Sequence, residues 1–372
     1  MKKIVQLGII GAGGSRIMYG PSLKYLSKVA VAAVADPSPK ARELAQRELR
    51  AGAVYESVED MLGSAKLDGV IVSSPVFCHV EHVLAVAKAG LPVLVEKPMA
   101  RTPAEAKQMV KACRKAGVLL MVGFNRRLLP PLWTATQIAQ SGQLGDVFHV
   151  ECIWTHCGQH SHGWRDSSEC FGGVFQDHGS HTIDLCRQWL GEVKTVYAHG
   201  RRGRTVDGQF RGVEDHLVAL ITHKGGSSYH INARDSHRPV SELYRLYGAK
   251  GTLEVEYTGG WSYIAPDNWE MRMYRNGNAV PERLVSRRPR NEWLTQLSDG
   301  HYAFGAEIKK FGEAIASRSA TISPSGEEGL AVVRAVSAAF LSAAEGRLVT
   351  PPEADAFDQH MFEKCIRTIT RS

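Results

Sequence analysis

The feature that most constrains this fold is an apolar run that passes directly into a glycine cluster near the start of the chain. Residues 4–10 read IVQLGII and residues 11–16 read GAGGSR. A short apolar run rich in branched residues is typical of a buried parallel strand, and glycines directly after it allow a tight turn. The pattern predicts a strand, a turn and a helix as the first part of a parallel α/β sheet.

Apolar strand patterns continue to alternate with amphipathic segments over the first third of the sequence. Further strands are predicted at 31–36, 69–75, 92–98 and 118–124, with helices at 80–89 and from about 103. Such alternation produces right-handed βαβ units with helices on both faces of the sheet. Because 372 residues exceed one typical core, we predict an N-terminal Rossmann domain at 1–125 and a second domain at 126–372.

The glycine cluster has the context of a dinucleotide-binding turn. Gly11 permits the tight turn, and Gly13 lets the backbone approach a pyrophosphate that the helix N-terminus stabilises. Arg16 stands where the fingerprint has its third glycine, and Gly14 supplies part of the missing freedom. Arg16 either loosens the packing of helix on strand or lies along the phosphates; the sequence leaves both open.

The acidic end of the second predicted strand bears on the choice of cofactor. Asp36 follows the glycine turn by roughly the twenty-odd residues that the dinucleotide fingerprint requires. Its carboxylate would accept hydrogen bonds from a ribose diol and repel a 2′-phosphate. We therefore predict NAD rather than NADP, although Lys40 and Arg42 are close in sequence.

The EKP sequence at 96–98 narrows the interpretation. It ends the predicted strand at 92–98, so its lysine would extend from the carboxyl edge of the sheet, where the nicotinamide end of a dinucleotide lies. Together with GIIGAGG, SSPVFCHVEH, VGFNRR and GGVFQDHGSHTIDL, this sequence resembles the Gfo/Idh/MocA family of sugar and polyol dehydrogenases. The resemblance extends over nearly the whole chain, through the predicted helix at 326–349.

The resemblance implies a catalytic trio of Lys97, Asp177 and His181, with a frequently cis peptide bond before Pro98. The histidine would take the hydroxyl proton while lysine and aspartate bind and polarise that hydroxyl. An alcohol is a weak acid, and an imidazole has a pKa near the working pH, so the chemistry is consistent. A histidine, where some relatives have tyrosine, favours polyol or sugar oxidation. The plain structural alternative is a core histidine satisfied by a neighbouring carboxylate.

The resemblance also implies binding residues. Those expected at the cofactor are Gly11, Gly13, Gly14, Ser15, Arg16, Asp36, Ser73, Ser74, Pro75, His79, Glu96 and Lys97. Those expected at the substrate are Asn125, Trp154, Trp164, Arg165, Asp177, His178 and His181. The two tryptophans would stack on a sugar ring, or both are simply core residues.

After about residue 145 the pattern changes to strand-like alternation at 145–156, 213–233 and 248–257. We predict an α+β domain with a large, open, mostly antiparallel sheet. Relatives form oligomers through the other face of this sheet, which implies a homodimer or homotetramer.

Composition excludes several classes of protein. No apolar run reaches the roughly 18 residues that span a bilayer, and seven scattered cysteines without a CxxC favour a reducing compartment. The net charge of +7 arises partly from basic runs among Gly and Pro, which are typical of solvated loops. We expect a cytoplasmic protein with no nucleic-acid or membrane partner.

A histidine-rich segment between 149 and 181 raises the question of a metal. Its spacing matches no standard structural zinc pattern, and the expected chemistry requires no metal; we predict none. If a metal binds, its ligands would be His178 and His181 beside Asp177. The remaining candidates are His156, Cys157, His160 and His162.

These patterns predict an NAD-dependent dehydrogenase acting on a secondary hydroxyl of a cyclic polyol, monosaccharide or glycoside. One alternative is glycosidic cleavage through transient sugar oxidation, in which tightly held NAD takes the hydride and returns it. Another is a non-catalytic, NAD-responsive binding protein.

Overall fold

The structure is a computed structural model that describes residues 4–156, 163–203, 212–234, 240–259, 268–278, 280–285 and 297–371. The chain divides into two compact units. The first consists of residues 1–101, 105–128 and 291–330, and the second of residues 102–104, 129–290 and 331–372.

A parallel sheet is the centre of the first unit. In the described residues its strand order is β3-β2-β1-β4-β5-β6, the doubly wound order in which ligands bind at the carboxyl edge. β4 and β5 are short strands that are wholly buried and, apart from Glu96 at the end of β5, apolar, as strands covered on both faces should be. The strands are β1 (Val5–Ile10), β2 (Val29–Ala35), β3 (Ala53–Tyr55), β4 (Gly69–Val72), β5 (Val93–Glu96) and β6 (Leu120–Gly123).

Helices connect these strands, as the alternation predicts. They are α1 (Ser15–Leu23), α2 (Pro39–Glu48), α3 (Val58–Ser64), α4 (Val76–Lys88) and α5 (Pro103–Ala116). α4 begins four residues before the predicted start at 80, directly after Pro75.

The second unit contains a larger sheet of order β14-β13-β12-β11-β7-β10-β9-β8-β15 in the described residues. Its pairs are antiparallel except β7 with β10 and β8 with β15. β10 alternates strictly between buried and half-buried residues, because one sheet face covers the core. The strands are β7 (Val147–His156), β8 (Val193–Arg202), β9 (His216–His223), β10 (Ser227–Arg234), β11 (Val240–Gly248), β12 (Gly251–Gly259), β13 (Trp269–Tyr274), β14 (Glu282–Leu284) and β15 (Thr370–Arg371). The predicted fold class is confirmed.

The remaining helices are α6 (Pro130–Gln140), α7 (Ser180–Leu190), α8 (Asp299–Ala316), α9 (Gly326–Glu345) and α10 (Gln359–Thr368). The predicted division assigns all residues after 125 to the second domain. In the structure, however, α8 belongs to the first compact unit. Its Phe304 packs edge-on against Tyr19 of α1, with ring centroids 5.7 Å apart. Among the described residues, no helix combines the length and apolar character that crossing a bilayer requires.

Candidate active site

The glycine turn after β1 has the shape that a dinucleotide requires. Gly11 adopts φ +90°, and a Cβ there would lie 2.7 Å from the backbone nitrogen of Ser74. Around Gly13 a Cβ would meet no atom within 4 Å, so a ligand can approach the backbone. Helix α1 begins at Ser15 without a capping side chain. A helix N-terminus in this setting stabilises an anion such as a pyrophosphate.

Asp36 fixes this turn from the end of β2. Its Oδ2 accepts the Ala12 N–H at 2.7 Å, and its Oδ1 accepts the Ser38 N–H at 2.8 Å. Arg42 Nη1 donates to the carbonyls of Asp36 and Pro37 at 2.8 and 3.0 Å. The nearby guanidinium is therefore engaged with backbone oxygens, and Asp36 remains the acidic group at the position expected for ribose recognition.

Arg16 is directed toward α2. Its Nη1 forms an ion pair with Glu48 Oε2 at 2.9 Å, so the predicted contact with cofactor phosphates would require this pair to open. Ser73 holds the opposite side of the turn, since its hydroxyl donates to the Gly11 carbonyl at 2.8 Å. The predicted cofactor residues Gly11, Asp36 and Ser73, which follow β1, β2 and β4, thus lie together around one turn.

Lys97 follows the last residue of β5. Its backbone N–H donates to Glu96 Oε2 at 3.3 Å, and the Tyr19 hydroxyl donates to Glu96 Oε1. The Lys97–Pro98 peptide bond is cis, as the resemblance implies. Burial, and then the neighbouring Glu96, raise the pKa of Glu307 well above the ordinary value. The backbone at Lys97 is therefore supported by a buried, largely acidic cluster.

His79 lies between two loops of the first unit. Its Nε2 is 2.8 Å from the Ser74 carbonyl oxygen, and its Nδ1 is 3.0 and 3.2 Å from those of Pro98 and Met99. Burial lowers the pKa of His79 to about 4. Since both ring nitrogens face protein carbonyls, any contribution of His79 to the cofactor site acts through the loops that it joins.

Asn125 opens a 3-10 turn directly after β6. Within the described residues its Oδ1 is buried and has no hydrogen-bond partner. A buried acceptor of this kind is costly unless something donates to it, which is consistent with the predicted substrate contact.

In the second unit, Asp177 and His181 occupy successive turns at the start of a helix. Asp177 lies in a wide π-type turn, Phe175–Gly179, which continues into α7 at Ser180. Turns of this type occur frequently at functional sites. Asp177 Oδ2 is 3.4 Å from Arg165 Nε and 3.6 Å from His178 Nε2, and His181 is 6% exposed. The predicted residues Arg165, Asp177 and His178 therefore lie together.

Trp154 supports His178 rather than offering an open ring face. Its indole stacks on the His178 imidazole with centroids 3.5 Å apart and an interplanar angle of 14°, and it is 2% exposed. A sugar could stack on Trp154 only if the ring were uncovered. The side chain of Trp164 lies outside the described residues, as do the side chain of His156 and residues Cys157, His160 and His162.

Glu214 is a site residue that the sequence reasoning missed. It is fully buried, and its Oε1 accepts the Phe175 N–H at 2.8 Å, at the start of the turn that contains Asp177. Gly173, with φ +120°, leaves the space that Glu214 fills, because a Cβ there would lie 2.2 Å from Glu214 Oε2. The sequence pattern that could have indicated this role is the adjacent acidic pair Glu214 and Asp215, directly before the apolar strand β9.

A second ion pair holds the segment before this turn. The buried Arg234, at the end of β10, pairs with Asp166. No group of three or more His, Cys, Asp or Glu side chains in the described ranges is placed to hold a metal ion. Lys97 belongs to the first unit, and Asp177 and His181 belong to the second.

Two family models match this chain. Residues 5–124 match the GFO/IDH/MocA oxidoreductase family, described as having an NAD-binding Rossmann fold. Residues 132–254 match the GFO/IDH/MocA C-terminal domain. Both predicted parts of the chain are thus matched by models of the same family.

Curated relatives include named dehydrogenases and a catabolic protein. The chain is 29% identical over 254 residues to the rhizopine catabolism protein MocA of Rhizobium meliloti, covering 68% of this chain and 78% of that protein. It is 26% identical over 360 residues to scyllo-inositol 2-dehydrogenase (NADP(+)) of Bacillus subtilis, covering 93% and 95%.

Among solved structures, levoglucosan dehydrogenase in complex with NADH and levoglucosan has a TM-score of 0.81 at 21% identity, covering 94% of this chain and 100% of that chain. At this identity the likeness shows the fold. An aldose-aldose oxidoreductase from Caulobacter crescentus complexed with glycerol has a TM-score of 0.79 at 25% identity, covering 94% and 100%.

Proposed function

This chain belongs to the Gfo/Idh/MocA family of oxidoreductases, and we propose that it is an NAD-dependent dehydrogenase of a secondary hydroxyl in a cyclic polyol, monosaccharide or glycoside. The carboxylate and imidazole of Asp177 and His181 on adjoining helical turns are the observation that carries this proposal. Such a pair supplies a general base together with a group that orients the substrate hydroxyl.

The residues around the glycine turn fit NAD. Gly11 fits against the Ser74 backbone, Gly13 is open, and Asp36 is held at the ribose position by two backbone N–H groups. When bound, NAD supplies the hydride acceptor. Because the relative from Bacillus subtilis is named for NADP, the choice of NAD rests on the Asp36 carboxylate, which repels a 2′-phosphate.

The proposed division of labour follows from the chemistry of each group. The Lys97 ammonium and the Asp177 carboxylate bind the reacting hydroxyl. The His181 imidazole accepts its proton, a role suited to histidine because an unperturbed imidazole has a pKa near the working pH. Arg165 and His178, both within 4 Å of Asp177 Oδ2, restrict the carboxylate to one orientation.

The proposed substrate class rests on the names of relatives. Over more than nine-tenths of this chain they include inositol 2-dehydrogenase of Rhizobium meliloti and D-apiose dehydrogenase of Rhizobium rhizogenes. A ring compound with a free secondary hydroxyl is common to the proposed substrates. Their variety leaves inositols and glycosides as equal members of this class.

The testing experiment is a comparison of His181→Ala with wild type on a panel of inositols, monosaccharides and glycosides. NADH absorbance reports turnover, and a separate titration reports NAD affinity. We expect wild-type NAD binding and a loss of turnover of at least a hundredfold, the scale of a positioned general base. His360→Ala, at an exposed position of α10, is the matched control and should behave as wild type.

Near-normal turnover in His181→Ala would reject the role of His181. Release of sugar from a glycoside without NADH, by a protein that retains NAD through purification, would instead indicate the redox-neutral cleavage reaction. Binding of NAD with no turnover on any compound would indicate an NAD-responsive binding protein.

A further inference from the structure

One buried imidazole connects two functional loops of the first unit. His79 lies on the first turn of α4 and is 1% exposed. Its Nε2 contacts the carbonyl of Ser74, and its Nδ1 contacts the carbonyls of Pro98 and Met99. A single ring therefore spans segments that are more than twenty residues apart in sequence.

The Ser74 side of the ring borders the glycine turn. The backbone nitrogen of Ser74 would be 2.7 Å from a Cβ on Gly11, and Ser73 donates its hydroxyl hydrogen to the Gly11 carbonyl. A shift of the Ser74 backbone would therefore move the wall of the turn that is proposed to receive NAD.

The other side of the ring borders Lys97. Pro98 and Met99 follow the lysine directly, and both are buried. Their carbonyl oxygens both contact the same Nδ1, at 3.0 and 3.2 Å. His79 thus contacts the backbone that follows Lys97. The Lys97 backbone N–H itself donates to the side chain of Glu96.

The His79 ring has fewer N–H groups than there are carbonyl oxygens in contact with its nitrogens. A carbonyl only accepts hydrogen bonds, and a neutral imidazole has one N–H. Because burial lowers the pKa of His79 to about 4, the ring is neutral at pH 7. Its one hydrogen is donated either to Ser74 or to the Pro98 and Met99 carbonyls, and the other side of the ring is held by packing contact without a hydrogen bond.

We propose that His79 is a positioning residue. Its contact at Nε2 positions the Ser73–Ser74 backbone beside the glycine turn, and its contact at Nδ1 positions the backbone that follows Lys97. The second half rests on the proposed function, since it requires Lys97 to act on the substrate. The first half requires only that NAD binds at the glycine turn.

Amide side chains separate the two contacts. Glutamine places its Nε2 near the imidazole Nε2, so His79→Gln retains a donor toward Ser74 and loses the contact to Pro98 and Met99. Asparagine places its Nδ2 near the imidazole Nδ1, so His79→Asn retains the contact beside the lysine and loses Ser74. His82→Ala is the comparator, because His82 Nδ1 contacts the hydroxyl of Ser74, at 2.8 Å, and not the carbonyl that faces His79.

We expect the two variants to affect different quantities, His79→Gln the kcat and His79→Asn the NAD Kd. His79→Gln should keep the NAD Kd within about threefold and lower kcat by about tenfold or more, since small misplacements of a catalytic group are costly. His79→Asn should raise the NAD Kd by about tenfold, because the Ser74 carbonyl loses the ring nitrogen that it contacts, and keep kcat within about threefold. His82→Ala should leave kcat unchanged.

A second readout does not depend on turnover. The rate at which an amine-acylating reagent labels Lys97, followed by peptide mass spectrometry, should change in His79→Gln and not in His79→Asn. If both variants lose NAD affinity, kcat and Tm together, His79 only stabilises the folded core and the proposal fails. Two variants that match wild type also overturn it.

The failure of the proposed function is distinguishable. In that case wild type shows no turnover on the polyol panel, while the NAD titration and the Lys97 labelling still report the two contacts of His79.

Discussion

Phe175 donates its backbone N–H to Glu214 Oε1 at 2.8 Å, across 39 positions of sequence. This bond ties the turn that contains Asp177 to the residues directly before β9. The carboxyl is buried, so this acceptor lies away from solvent. The placement of Asp177 therefore depends on a residue that has no proposed contact with substrate.

Glu214→Ala should lower kcat by about tenfold or more with a smaller change in NAD Kd. It leaves the Phe175 N–H without its acceptor, at a cost of about 1–3 kcal/mol, and frees the turn to move. Glu214→Gln keeps an acceptor oxygen and should recover most of kcat. Steady-state kinetics on all three proteins provide the test, with Glu282→Ala, an exposed glutamate of β14, as control. Equal kcat in wild type and Glu214→Ala would contradict the role.

The stability of wild type should decrease between pH 4.5 and pH 8 relative to Glu214→Gln. Burial raises the pKa of Glu214 from 4.5 to about 8, so the folded carboxyl stays protonated where the unfolded one ionises. This favours the unfolded state increasingly across that window, by about 5 kcal/mol in total. Urea unfolding at pH 5 and pH 8 measures the difference. A pH-independent difference between the two proteins would be inconsistent with a raised pKa.

Gly173→Ala should destabilise the fold through two separable effects. The left-handed φ of +120° disfavours any side chain, and the new Cβ would lie 2.2 Å from Glu214 Oε2. In the Glu214→Ala background the contact disappears and only the backbone part remains, about 1–3 kcal/mol. A double-mutant cycle of unfolding free energies isolates the coupling. Additive effects would show that the two residues do not meet.

Asp36→Ala should raise the NAD Kd by about tenfold or more and reduce the preference for NAD over NADP. The substitution removes the acceptor for the Ala12 and Ser38 N–H groups and the charge that repels a 2′-phosphate. Titrations with both cofactors measure this, and Glu43→Ala, an exposed change in α2, controls for net charge. An unchanged ratio of the two Kd values would argue against Asp36 as the discriminating group.

Local sequence determined the parts of this protein that depend on neighbours along the chain. The apolar run of β1 followed by Gly11 specifies a strand and a tight turn, because only glycine adopts φ +90° at little cost. Strand periodicity likewise placed Asp36 and Lys97 at strand ends, where parallel strands present their carboxyl edge. The roles of Lys97, Asp177 and His181 in chemistry stay predictions, as does the homodimer or homotetramer.

Tertiary structure alone decided which distant residues support those positions. The contacts of Glu214 with Phe175 and of His79 with Pro98 join residues that no local pattern relates. The packing of α8 on the first unit is similar, since an apolar helix face does not specify which surface covers it. Local propensity determines backbone conformation, whereas these contacts depend on how loops and helices pack together. The sequence therefore determined the groups that the proposed chemistry uses, and the packing decided what holds them in place.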